Sequence, residues 1–103
     1  MIITTTDSIE GKKIREYKGI VASEAVIWVN SFVNLFTIVR DFVSGRVKLY
    51  EKGLSKYRQQ LIEELMRQAS EKGANAIVGL NFLYEMYDSM LMISAWGTAV
   101  VVE

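Results

Sequence analysis

The chain has 103 residues, half of them hydrophobic, with twelve Lys and Arg against twelve Asp and Glu and no formal net charge. That length fits a single domain over residues 1–103, and the balanced charge, without a basic run, argues against nucleic acid or an anionic membrane as partner. Cys and His are absent, which excludes disulfides, thiolate and imidazole metal ligands, and Cys or His nucleophiles and bases.

The first ten residues, mostly Thr and Ile, do not read as a secretory signal, and the cytoplasm is the expected location. Residues 2–6 predict a short strand and 7–11 a turn. A second extended segment is expected over 12–29, carrying Ile14, Tyr17, Ile20 and Val21, with Gly19 marking a bulge or bend. Residues 25–39 are very apolar, but they are shorter than the ~20 residues a bilayer span needs and include Asn30, Ser31 and Asn34.

Residues 30–43 predict a helix with one narrow polar stripe (Asn30, Asn34, Thr37, Asp41) and an apolar surface wide enough to need burial on more than one side. Residues 51–72 give the clearest helix. Leu54, Tyr57, Leu61, Leu65 and Ala69 form its stripe, Ile62 and Met66 widen it, Glu63 and Arg67 are expected to pair, and Gly73 fits its end. Residues 75–87 and 90–102 predict a hairpin turning at Asp88-Ser89, with Tyr87 opposite Met90 and Ile77 opposite Val100. In that register Ala76, Val78, Leu80, Phe82, Tyr84 and Met86 face the helices with Leu91, Ile93, Ala95 and Ala99. The other face carries Ile77, Leu83, Met92, Trp96 and Val100, too apolar for water alone. The resulting fold class is α+β, an antiparallel sheet with two helices packed on one face.

No phosphate-binding glycine motif occurs, and Gly79 and Gly97 read as tight packing inside strands. Met86, Met90 and Met92 offer thioethers of the kind that bind soft copper, but the register sets Met86 on the opposite face from the other two, and gap filling by apolar side chains is the preferred reading. The charged candidates are Arg40, Asp41, Arg46, Tyr50 and Arg58 around the link between the helices, with Glu24 in an apolar stretch that requires a partner. They read first as interlocking ion pairs at helix ends or a subunit contact. As a ligand site, Arg46 and Arg58 hold an anion by paired hydrogen bonds, or Glu24 serves a metal or a proton.

Three stretches carry a family resemblance: Gly19-Ile20-Val21 through Glu24-Ala25; Arg40-Asp41 with Gly45-Arg46 and Tyr50-Glu51; and Gly73-Ala74-Asn75-Ala76-Ile77-Val78-Gly79 followed by Gly97-Thr98-Ala99-Val100. In order and spacing the chain resembles the YbjQ family, small bacterial and archaeal proteins that bear a heavy-metal-binding label. The resemblance implies a dodecin-subunit-like α+β subunit of a ring-shaped homo-oligomer, most simply a pentamer, and supplies no mechanism. Without Cys or His, only oxygen ligands and thioethers remain, and oxygen suits hard ions such as Mg²⁺ or Ca²⁺. The expected function is a self-assembling module that binds a small ligand or ion, with no cofactor and no catalytic residue assigned. A purely structural or adaptor assembly is the alternative, followed by an enzyme using carboxylates and arginines at subunit clefts.

Overall fold

The computed structural model describes residues 1–28, 48–87 and 90–103, with side chains placed for all of these except 28 and 48–53. Strands β1 (Ile2–Ile3), β2 (Ile14–Trp28), β3 (Ala76–Tyr87) and β4 (Met90–Val102) form one sheet in the order β1-β3-β4-β2. Helix α1 (Lys48–Glu71) packs across one face, mainly over β2 and β4. The other expected helix, at 30–43, and the expected turn at Asp88-Ser89 lie outside the described residues. The sheet is mixed rather than antiparallel, because β1 runs parallel to β3. Since β2 and β3 both run against β4, β1 and β2 point the same way at opposite edges. Residues 4–13 must therefore cross a sheet face to join them.

The hairpin begins in the expected register, Tyr87 opposite Met90 and on to Asn81 opposite Trp96, then shifts by one residue. Beyond the shift Val78 faces Thr98, Ile77 faces Ala99, and Ala76 faces Val100. The extra residue of this β-bulge lies at Gly79-Leu80, where Gly79 adopts φ +65°, a left-handed conformation that a β-carbon disfavours. Inserting one residue into a strand exchanges its faces. Ile77 consequently points to the helix, fully buried, and Ala76 and Val78 point away from it, the reverse of the expectation. The remainder of the helix-facing set, Leu80, Phe82, Leu91, Ile93, Ala95 and Ala99, falls where alternation places it. The bulge anticipated at Gly19 is present as a second register shift, between Tyr17 and Gly19.

Along α1, Leu61, Leu65 and Ala69 are buried against Val21, Ile27 and Ile93, and Leu54 and Tyr57 are half-buried beside them. Full burial of a residue such as Leu65 contributes about 1.5–3 kcal/mol. On the exposed side Arg67 pairs with Glu64 (2.5 Å) and Glu71 (2.6 Å), not with Glu63, which accepts from Gln59 instead. Three and four residues are both one turn, so Arg67 had several acids within reach. The helix closes with Ala74 N–H donating to Ala69 O (2.9 Å) and Gly73 N–H to Ser70 O (3.0 Å), the paired bonds of a Schellman end. Asn75 then substitutes for one more residue of strand. Its side-chain amide donates to Val102 O (2.9 Å) and accepts from Val102 N–H (2.8 Å).

The face away from α1 has its own small core at this closed end of the sheet. Ala76, Val78, Val100 and Val102 are buried there under Ile9, delivered by the crossing segment, and Ile14, the first residue of β2. Toward the hairpin end the same face is bare among the described residues: Ile20, Val26, Leu83 and Trp96 are 74, 45, 44 and 38% exposed.

Candidate functional site

The six charged and polar candidates do not share one surface. Arg58 lies on the helix side of the sheet, half-buried, where its guanidinium donates to Tyr84 Oη at 3.4 Å. Glu24 lies on the bare face, exposed, opposite Ser94. The thickness of the sheet separates the two, so within one chain they cannot hold one ligand. Tyr50 belongs to the first turn of α1, and Arg40, Asp41 and Arg46 fall outside the described residues.

The thioethers are divided too. Met86 pairs with Leu91 and shares its helix-facing side, whereas Met90 and Met92 are on the opposite face, as the hairpin register predicts. Among the described residues no three Asp, Glu, His or Cys side chains converge as a metal site would require. A donor set without sulfur anions, imidazole or clustered carboxylates does not fit a soft heavy metal.

Among the described residues the perturbed titratable groups lie at the surface. The hydrogen bond from Arg67, reinforced by one from Gln68, lowers the Glu64 carboxyl to about 2 and raises Arg67 in turn. Glu85 accepts a hydrogen bond from Tyr87 and pushes that phenol upward. Both pairs lie at the surface, so neither has the desolvated setting of a catalytic acid or base.

One concave feature escaped sequence reasoning. Ile2, Ile3 and Ile9, with Thr4, Thr6, Ser8 and Glu10, line an open cleft of about 640 Å³. The hydroxyls of Thr4 and Thr6 are already committed: their Oγ1 atoms lie 2.7 Å apart, and Thr6 Oγ1 donates to Ser8 O at 2.5 Å. The repeated Thr at 4–6 was its only signal in the sequence. Nothing in it resembles a nucleophile with its base.

The last of the stretches that carry the resemblance consists of packing and closing devices, whereas the first exposes Ile20 and Glu24. Gly73, Ala74 and Asn75 end the helix and start β3, Ala76 and Ala99 are fully buried, and Gly97 lies against Ile77. Fold and surface together define an α+β sheet-and-helix domain without an assembled catalytic group among its described residues. The chain belongs to the YbjQ family: the family model described as "Putative heavy-metal-binding" matches residues 1–103. A UPF0145 protein of Persephonella marina (strain DSM 14350 / EX-H1) is 62% identical over 103 residues, covering the whole of both chains. A crystal structure of a protein of unknown function from the DUF74 family of Pediococcus pentosaceus ATCC 25745 shares the fold. Its TM-score is 0.62 at 18% identity, over all of this chain and 98% of the other.

Proposed function

We propose that the protein is the subunit of a homo-oligomer, a pentamer by family resemblance, which holds a small ligand or hard ion in clefts between subunits and catalyses no reaction. The observation that carries this reading is the sheet face away from α1, where among the described residues Ile20, Val26, Leu83 and Trp96 are exposed on either side of Glu24. Contiguous apolar surface of this kind favours cover by another protein surface. Oxygen donors and guanidinium groups then select a hard cation or a small anion. Among the described residues no helix is long and apolar enough to cross a membrane, in keeping with the cytoplasm as the proposed location.

Native mass spectrometry of freshly purified protein tests both halves of this reading. Several subunits with a stoichiometric added mass are expected. A stable monomer of 11.7 kDa defeats it. The second reading, a purely structural assembly, is favoured by the packing roles of the resemblance-bearing residues, and an oligomer without added mass, unresponsive to Mg²⁺, Ca²⁺ or phosphate, would select it.

A further inference from the structure

We propose that the subunits join edge to edge, the hairpin half of β2 in one copy lying beside the hairpin half of β3 in the next, so that the sheet continues from subunit to subunit. This rests on the assembly reading above and identifies its contact.

The argument begins with how each sheet edge is protected. Unpaired strand edges recruit other chains unless they are covered, charged or bulged. At the closed end every such device is present. β1 and the segment after it cover β3, with Thr4 and Thr6 carbonyls accepting from Leu80 and Gly79 N–H at 3.0 and 2.8 Å. On the opposite edge, β2 carries Arg15, Glu16 and Lys18 and the bulge before Gly19. One step further on, Gln68 reaches from α1 to accept from Ala22 N–H (3.1 Å) and donate to Ala22 O (2.8 Å), as a neighbouring strand would. Past these points both edges are bare among the described residues, with Val26 on β2 and Leu83 and Met86 on β3 exposed and a single charge on each, Glu24 and Glu85, where the closed end of β2 carries three.

Hydrogen-bond direction follows from the same contacts. The Gln68 bonds show that Ala22 points its backbone groups outward, so Glu24 and Val26 do as well. Leu80 N–H points outward to Thr4, so Phe82, Tyr84 and Met86 follow. Because β2 and β3 run in the same direction, a rotated copy places the β3 edge alongside the β2 edge as a parallel pair with equivalent faces continuous. A second copy therefore supplies the complement of each edge. A contact between two different edges is heterologous, and it gives a ring where the rotation closes and an open filament where it does not.

Two substitutions remove one outward N–H each and leave the β2–β4 and β3–β4 ladders intact: Val26→Pro on the β2 edge and Met86→Pro on the β3 edge. Val26→Lys and Leu83→Lys serve if a proline variant loses its circular dichroism. Sedimentation of the parent should show an oligomer, and each variant alone should be a folded monomer. Mixed one to one, the two variants should form a heterodimer of twice 11.7 kDa, because each retains the edge that the other lacks. A monomeric parent overturns the assembly reading and this inference together. An assembled parent whose folded edge variants assemble equally well, or do not pair when mixed, overturns the inference alone.

Discussion

Replacing Gly97 by Ala tests the packing that ties β3 to β4 at the bulge. A β-carbon built at Gly97 lies 2.8 Å from Ile77 Cγ2 and 3.1 Å from Val78 O. Carbon atoms in contact normally sit about 3.5–4.0 Å apart, so Ile77 must retreat by roughly 0.7–1.2 Å. It has nowhere to go, being fully buried in the main core, and the second obstacle is backbone. Overpacking of this kind costs about 1–3 kcal/mol, with a midpoint drop of ~4–8 °C for each kcal/mol in a domain of this size. Ile77→Leu moves the offending branch off the β-carbon at a cost of its own of under about 1.5 kcal/mol. In urea titrations the double variant should lose less than the two single losses added together, with a coupling of ~0.5–3 kcal/mol. Rescue should be partial, since Val78 O remains. Additive losses, or a Gly97→Ala variant as stable as the parent, would refute the clash.

Gln68→Ala should cost ~0.5–1.5 kcal/mol, the net worth of an ordinary hydrogen bond, because water can replace the amide at the exposed edge. Hydrogen exchange at Ala22 should accelerate in the same variant, and an unchanged rate would argue against the clamp. An NMR titration should find the Glu64 carboxyl near 2, returning toward the ordinary carboxylate range in Arg67→Ala. The sign is that of a lowered carboxylate: the pair helps the fold fully above pH 4.5 and loses that help as pH falls toward 2, by a small amount that salt reduces further. Calorimetry with Zn²⁺ or Cd²⁺ should show only weak surface carboxylate binding, and a stoichiometric submicromolar site would contradict the donor chemistry.

Periodicity made α1 and the two long hairpin strands legible, because each repeats an apolar pattern over several turns or pleats, and the glycine itself marked the bulge at Gly19. The bulge at Gly79-Leu80 was not, since the register was counted from the turn and alternation carried straight through Gly79. A signal existed in Ala76-Ile77-Val78, three apolar residues without alternation beside a glycine, as expected where both faces are covered. The parallel placement of β1 rests on a two-residue pairing too short for any pattern to specify. The choice of Glu64 over Glu63 depends on rotamers within a single turn. For the site, sequence proximity placed Arg58 near the link between the helices. Only the sheet reveals that Glu24 faces the other way and that Tyr84, twenty-six residues distant, is the hydroxyl Arg58 meets.

The small core under Ile9 and Ile14 also makes local stability uneven along the sheet. At the closed end, opening the strands exposes apolar groups on two faces and breaks the Asn75 and Val102 bonds. At the hairpin end it exposes one face only. Regions with fewer buried contacts open at lower free energy and exchange their amides sooner. The strands therefore unzip from one end as a hinged leaf, with Gly79 and Leu80 at the binding. A neighbouring molecule that settles on the loose leaf would stiffen it and leave the spine unchanged.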